Sequence, residues 1–531
     1  FWEEHCDKYC KEAGFEPIGI EWPSTYRHPA LGLFLVVYVY DFKLSGPAEN
    51  LKKGWALLRK NLVIDKETGP GQYLGCGHEQ GTFNMPDGSL ATSISYNMES
   101  FWDSCVERYK DLAGPNVRIK AVPTPFLVED SEKGPAGAPC AHGPISECPW
   151  CAHTFTPTVY KDLDELNRKT KKEKPTGPLL GRIESLPSGG NSAAHGYESL
   201  PSGGNSATQE KPLIKGRLAE HAACILMKCL YGARMARFDL LRAITSLACQ
   251  LTRWTPECDR KLHRLMCYIH TSKHLRMIGY VGNSVQDVAP HLFADADFAG
   301  CATTQRSTSG LHLCIRGTKT CFPICGQSKR QGCVSHSTPE AEIVAADFGL
   351  RLSGLPALDL WHVLLPLKPP LFFHEDNQAM IHVVTTGRNP TMRYLHRTHR
   401  VSVSWLHEVC KGVDIVLMYE DSAKMAADIY TKGFTDKVKW EQVQGLINVI
   451  DPKFLVDKNY VRMYLVHAPP SDGGIPKRIE TPEGLPSKAG WHEDENGRPV
   501  CVVKEAKQFR TPEFKCDPKV WMFRTTWLLQ N

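Results

Sequence analysis

The chain has 531 residues, 42% hydrophobic and 23% charged, with a formal net charge of +5. That length accommodates two to four domains with separate cores, and the small basic excess fits a nucleic-acid partner without requiring one. No apolar run approaches the length of a membrane span, so no spanning helix is expected.

The 20 cysteines are scattered, many in apolar patterns such as those around Cys224, Cys249, Cys267 and Cys314. No basic-then-apolar start resembles a signal peptide, so an intracellular, reducing compartment is expected, cytoplasmic or nuclear, with mostly free buried thiols. The chain begins at Phe1 in mid-pattern, as a piece of a longer polyprotein would.

Residues 1–130 read as mixed α/β. Leu33 to Val39 is a continuous apolar run, hence a buried strand. Gly46-Pro47 opens a helix whose Leu51, Trp55 and Leu58 share one face. Tyr73 to Cys76 reads as a short strand, Met98 to Leu112 as a helix, and Val122 to Pro125 as extended chain.

Residues 131–212 are rich in Gly, Pro, Ser and Lys, and the decapeptide Glu184–Ala193 recurs unchanged at Glu198–Ala207. A tandem duplication within a linker accounts for it. Residues 213–284 read as helical, with one apolar stripe through Leu240, Leu241, Ile244, Leu247 and Leu251 and another through Leu262, Leu265, Met266 and Ile269. From about His291 the order is strand, strand, strand, helix, strand, helix, strand, helix. Residues 466–531 turn Pro/Gly-rich and polar, ending in the apolar Val520-Trp-Met-Phe.

Four carboxylates stand out by the elements that carry them. Asp295 lies in the extended Leu292–Asp297. Glu342 falls in the second turn of a helix that Ser337, Pro339 and Glu340 open as a capping box. Asp376 ends the apolar run from Leu371, where α/β sites gather, and Asp428 lies on a late helix, Ala423–Thr431. Brought together, they would hold two hard divalent cations, Mg²⁺ by preference, which clamp the attacking and leaving oxygens of a phosphodiester. Asp297, Glu340, Asp347 and Glu375 are expected to be solvated surface charges.

The stretches Asp295–Gly300, Arg306–Gly310, Ser337–Glu342, Glu375–Ala379 and Ala427–Lys432 closely resemble the ribonuclease H domain of copia-type retrotransposon Pol polyproteins. The family pattern reads D-A-D-W-A-G, R-S-T-S-G, S-S-T-E-A-E, C-D-N-Q-S-A and L-A-D-I-L-T-K, and the match runs in order over about 140 residues. The resemblance implies a ribonuclease H-like mixed sheet flanked by helices over 285–465, metal-binding roles for Asp295, Glu342, Asp376 and Asp428, and an RNA–DNA hybrid as substrate. One departure is that the family's R-T-K-H-I-D segment appears as Arg397–Ser402, without its closing histidine and aspartate.

Upstream, Phe34–Gly46 resembles the family's polymerase hairpin carrying Y-V-D-D, with Tyr40 in place of the first aspartate and Asp41 retained. Tyr73–Gly75, Val122–Pro125 and Ala236–Leu240 match later landmarks. The resemblance thus implies a partial reverse-transcriptase palm over 1–130 with polymerase activity lost, and a helical connection over 213–284.

In the insert, Cys148 and Cys151 have C-x₂-C spacing, with Cys140, His142 and His153 nearby. A zinc site from Cys140, Cys148, Cys151 and His153 or His142 stands against the reading of incidental cysteines. The leading expectation is an α/β, multi-domain Pol-derived protein that cuts RNA in hybrids. The alternatives are a non-catalytic nucleic-acid-binding relic and an integrase-like enzyme, against which the Asp428 motif argues.

Overall fold

The computed structural model describes residues 2–127, 214–301, 303–365 and 368–456, and two short strands, Trp491–Glu493 and Pro499–Cys501, that pair with each other. The repeated decapeptide and the zinc candidates Cys140, His142, Cys148, Cys151 and His153 lie outside the described residues, as does most of 466–531.

The N-terminal part pairs β1 (Glu16–Pro17), β2 (Thr25–His28), β3 (Leu33–Tyr38) and β4 (Asp41–Ser45) into one antiparallel sheet in that order. The run in β3 is continuously apolar because both of its faces are covered. Leu33, Leu35 and Val37 join a local core with Phe15, Tyr26 and Leu58, while Phe34 and Val36 join the main core. The helix over Ala48–Leu58 packs on β3 and β4. At the β3–β4 turn Val39 holds φ of 52°, a conformation that penalises a β-branched residue. Tyr40 is exposed at the tip, and Trp2 packs on its ring while donating from Nε1 to the Val39 carbonyl at 2.7 Å.

The second sheet is mixed and large. Its strands are β5 (Gln72–Tyr73), β6 (Cys76–Asn84), β7 (Leu90–Asn97), β8 (Arg276–Val281), β9 (Ala289–Asp297), β10 (Thr308–Gly317), β11 (Thr320–Arg330), β12 (Leu371–Glu375), β13 (Ile415–Tyr419) and β14 (Val449–Ile450). The order is β13-β12-β9-β10-β11-β8-β7-β6-β5, with β14 beside β8. The contacts of β12 with β9 and β13 are parallel and the others antiparallel. Helices flank it, and a main core that runs from Trp22 to Val449 in sequence packs between them, with a smaller cluster around Ile278, Tyr280 and Cys321. The protein is therefore mixed α/β, with a mixed sheet flanked by helices.

The segment expected to be helical over 213–284 carries helices over Ala222–Ala236, Leu241–Ala248 and Pro256–Ser272, but beyond them it enters strand β8. This strand pairs with β7 on one side and β11 on the other, so the boundary at 284–285 falls in the connection between two strands of one sheet. The helical segment is pinned by a buried network. Arg237 donates from Nε and Nη2 to the two carboxylate oxygens of Asp239 at 2.9 and 2.8 Å, and from Nη1 to the Ser272 carbonyl at 2.7 Å. Gln444 donates to the same Asp239 at 2.9 Å from the late helix Lys437–Leu446. No helix among the described residues is long and apolar enough to cross a membrane, and no disulfide forms among the described cysteines.

Candidate metal centre

Two parallel strands start the site. β9 and β12 pair with Phe372 opposite His291 and His374 opposite Phe293, so Asp376, just past β12, draws level with Asp295. Alternation then divides the β12 end between two faces: Asp376 shares a face with His374, and Glu375 points to the other. On Glu375's side lies helix α1 (Thr338–Gly349), which packs on β9 and β10. Its N-cap is Ser337, whose Oγ accepts the Glu340 N–H at 3.4 Å, and Pro339 fits the first turn. Glu342 thereby enters the second turn, buried against the sheet.

Asp428 arrives on a 3₁₀ segment, Ala426–Tyr430, rather than on the α-helix expected from the sequence. The segment settles onto β10 and β11 because Gly310 and Gly326 present no side chains there. A Cβ at Gly310 would lie 2.7 Å from Thr431 Cγ2 and 2.9 Å from the Ala427 carbonyl, and one at Gly326 would lie 2.5 Å from the Tyr430 hydroxyl. His312 Nδ1 lies 2.9 Å from that hydroxyl, and the Ser328 hydroxyl donates to the Tyr430 carbonyl at 2.6 Å.

All four carboxylates singled out in the sequence meet in two groups that share Asp376. Asp295, Asp376 and Asp428 bring one oxygen each within 4.8 Å of one another, and so do Glu342, Glu375 and Asp376. Either group can hold a metal ion. Thr431 Oγ1 donates to Asp295 Oδ2, and the Ser422 hydroxyl donates to Asp376 Oδ2 at 2.7 Å. Lys432 Nζ lies 2.6 Å from Asp428 Oδ1 and 3.5 Å from Asp295 Oδ1, a bound cation supplied by the chain.

The electrostatics follow from burial. Desolvation pushes the Asp295 carboxyl up against the opposing pull of Lys432 and Thr431. Asp428 is pushed up to about 7 by burial and by the charge of Asp295. Glu342 and Glu375 rise well above the usual carboxylate range, again through burial first, with Glu375 adding to the rise at Glu342 and Asp376 adding to that at Glu375. For Lys432, burial opposes the charge, but Asp295 and Asp428 outweigh it and hold the ammonium charged.

The four acids expected on the surface are not solvated. Glu375 and Glu340 are fully buried. Glu340 accepts the His336 N–H at 3.0 Å and the Tyr394 hydroxyl at 2.7 Å, and His399 Nε2 lies 3.2 Å from its Oε1. Asp347 is paired with Arg351 at 2.7 Å, and Asp297 with Arg242 at 3.2 Å and with the Thr308 N–H. Each lies on an element whose inward face cannot be assigned from one-residue spacing alone. In the departing segment Arg397–Ser402, His399 lies beside Glu340, and Ser402 Oγ caps the helix Val403–Lys411 by accepting the Trp405 N–H at 3.2 Å.

At the β3–β4 tip, Asp41 belongs to none of the carboxylate, histidine or cysteine groups that could hold an ion among the described residues.

No family model matches the chain, and no solved structure matches it.

Proposed function

We propose that this is a Pol-derived protein of copia-type retrotransposon descent whose site over 285–465 cuts the RNA strand of RNA–DNA hybrids with two Mg²⁺ ions in a ribonuclease H-like domain. The observation that carries the reading is the pair of carboxylate groups joined through Asp376 at the end of a parallel strand. The donor set is all oxygen, which suits a hard divalent cation. Buried oxygens with no hydrogen-bond partner, Glu342 Oε2 and Glu375 Oε2, are the kind of atoms such a cation satisfies. Bound there, the ions would supply a lowered water pKa and neutralise charge on the phosphodiester.

The chain's own residues set up that chemistry. Asp376 is common to both positions, and the Ser422 hydroxyl fixes its carboxylate. Asp295 and Asp428 form the outer side of one position, aligned by Thr431 and charge-compensated by Lys432. The partner would be read through its minor groove and its 2′-hydroxyls, not its base sequence. The test is Mg²⁺-dependent cleavage of a labelled hybrid by the full chain, and a single-stranded RNA cut equally well would overturn the reading.

The palm-like part over 1–130 is proposed to be inactive as a polymerase. Tyr40 stands where a metal-ligating carboxylate is needed, and a phenol lacks the paired anionic oxygens by which a carboxylate binds a hard cation. Clear primer extension on a poly(A) template would refute this. A zinc site at Cys140, Cys148, Cys151 and His153 or His142 remains a proposal that metal analysis decides, since a zinc content unchanged by Cys148→Ser excludes it.

A further inference from the structure

The copia-type pattern places a cysteine before the third acidic residue, and this chain places Glu375 there. A glutamate on the inward face of a strand, fully buried, is costly unless something compensates it. Its Oε1 accepts the Asn377 N–H at 3.1 Å, which satisfies one oxygen. Its Oε2 has no hydrogen-bond partner. Across from it Glu342, 3% exposed, also leaves Oε2 without one. No arginine or lysine forms an ion pair with either residue among the described residues, whereas Lys432 serves Asp295 and Asp428. Two buried carboxylates thus face each other beside Asp376, with two orphan oxygens and no protein cation of their own.

We infer that Glu375 is a fifth carboxylate of the centre, and that Glu342, Glu375 and Asp376 hold a divalent cation in the absence of nucleic acid. The inference rests on the two-cation reading given above and deepens it. Each group offers three carboxylates, more than enough negative charge for a divalent ion without phosphate oxygens, but the Asp295–Asp428 side already carries the Lys432 ammonium while the Glu342–Glu375 side has no ion-paired lysine or arginine among the described residues. Affinity in all-oxygen sites rises with the number of charged ligands. The cation on the helix side is therefore resident, and the one between Asp295 and Asp428, where Lys432 competes, is the exchangeable one.

The experiment titrates the full chain with Mn²⁺ alone, without nucleic acid, and counts bound ions by the loss of the free Mn²⁺ resonance. The parent is expected to bind one ion tightly and a second more weakly. Glu375→Gln, which keeps the Asn377 contact and removes the charge, should weaken the tight ion by about tenfold or more, since even outer-shell changes cost 10- to 100-fold. Glu342→Gln should weaken the same ion from the helix side, which keeps the test decisive where one variant fails to fold. Superimposable isotherms for parent and Glu375→Gln, with the variant more heat-stable, would mean that the two acids share a proton instead, and the inference falls. Hybrid cleavage run in parallel separates the two ideas: an isotherm unchanged by Glu375→Gln with cleavage intact removes only the resident cation, and a tight ion bound by the parent and lost in Glu375→Gln, with a parent that never cleaves, removes only the ribonuclease reading.

Discussion

Arg242 Nη2 lies 3.2 Å from Asp297 Oδ2, and its Nε donates to the Thr431 carbonyl at 2.8 Å. One side chain from the helical segment thus grips both the end of the strand carrying Asp295 and the turn carrying Asp428. Arg242→Met should leave the partly buried Asp297 without its cation and destabilise the fold by about 2 kcal/mol, the order of a hydrogen bond to a charged group. Urea unfolding reads this directly. The double variant Arg242→Met/Asp297→Asn should recover part of the stability, and no recovery would show that the pair does not act as a unit.

Asp376→Asn should keep the fold and lose hybrid cleavage to background, because Asp376 is the carboxylate common to both groups. Asp297 is unsuitable as the neutral comparison, given its contact with Arg242. Glu441, exposed and paired only with Lys437, is suitable, and Glu441→Gln should cleave as the parent does. Equal cleavage by Asp376→Asn and the parent would sink the assignment.

Stability should depend on pH and on divalent cations together. The Asp428 carboxyl is raised in the fold to about 7. A carboxyl raised on folding contributes stability that is complete below its unfolded value, near about 4. That contribution is lost as pH climbs through the folded value. With EDTA present, the contribution of the centre should therefore shrink between about pH 4 and pH 7, by on the order of a few kcal/mol. Mg²⁺ binds the ionised forms, so the melting shift it causes should be larger at pH 8 than at pH 5. A shift that is equal at both pH values would contradict the cluster as a cation site.

The pairing of β7 with β8 joins residues on either side of the 131–212 insert. Cutting the chain at an engineered protease site within that insert should leave two pieces that co-elute on size exclusion without denaturant. Separation into free pieces would show that the sheet does not hold across the cut. For the same reason a shortened chain starting at 285 lacks β8 and exposes the β11 edge, so it should aggregate or express poorly.

Much of the centre is legible in the sequence because its signals are local. Ser337, Pro339 and Glu340 announce a helix start within four residues, and the run to Asp376 announces a strand end. Glu375 escapes such a reading because it neighbours Asp376 and takes the opposite face, and only the helix packed on that face buries it. Strand β8 is hidden for a different reason. Met277 to Val281 is a short apolar run directly after a long helix, and periodicity over so few residues does not separate strand from helix. Its identity comes from partners at β7 and β11, distant in sequence. Asp428 is marked by its motif, but its turn is 3₁₀ because the sheet at Gly310 and Gly326 draws it in, a long-range effect.

Lys432 gives the centre a tethered counter-ion on one side only. With no ion bound, the Asp295–Asp428 half thus already has a positive charge set against its acids. Under the two-cation proposal, an ion loading that half would have to compete with an ammonium tethered to the chain itself. Neutralising that one side chain would then raise the occupancy of that half at a given divalent concentration without touching any ligand.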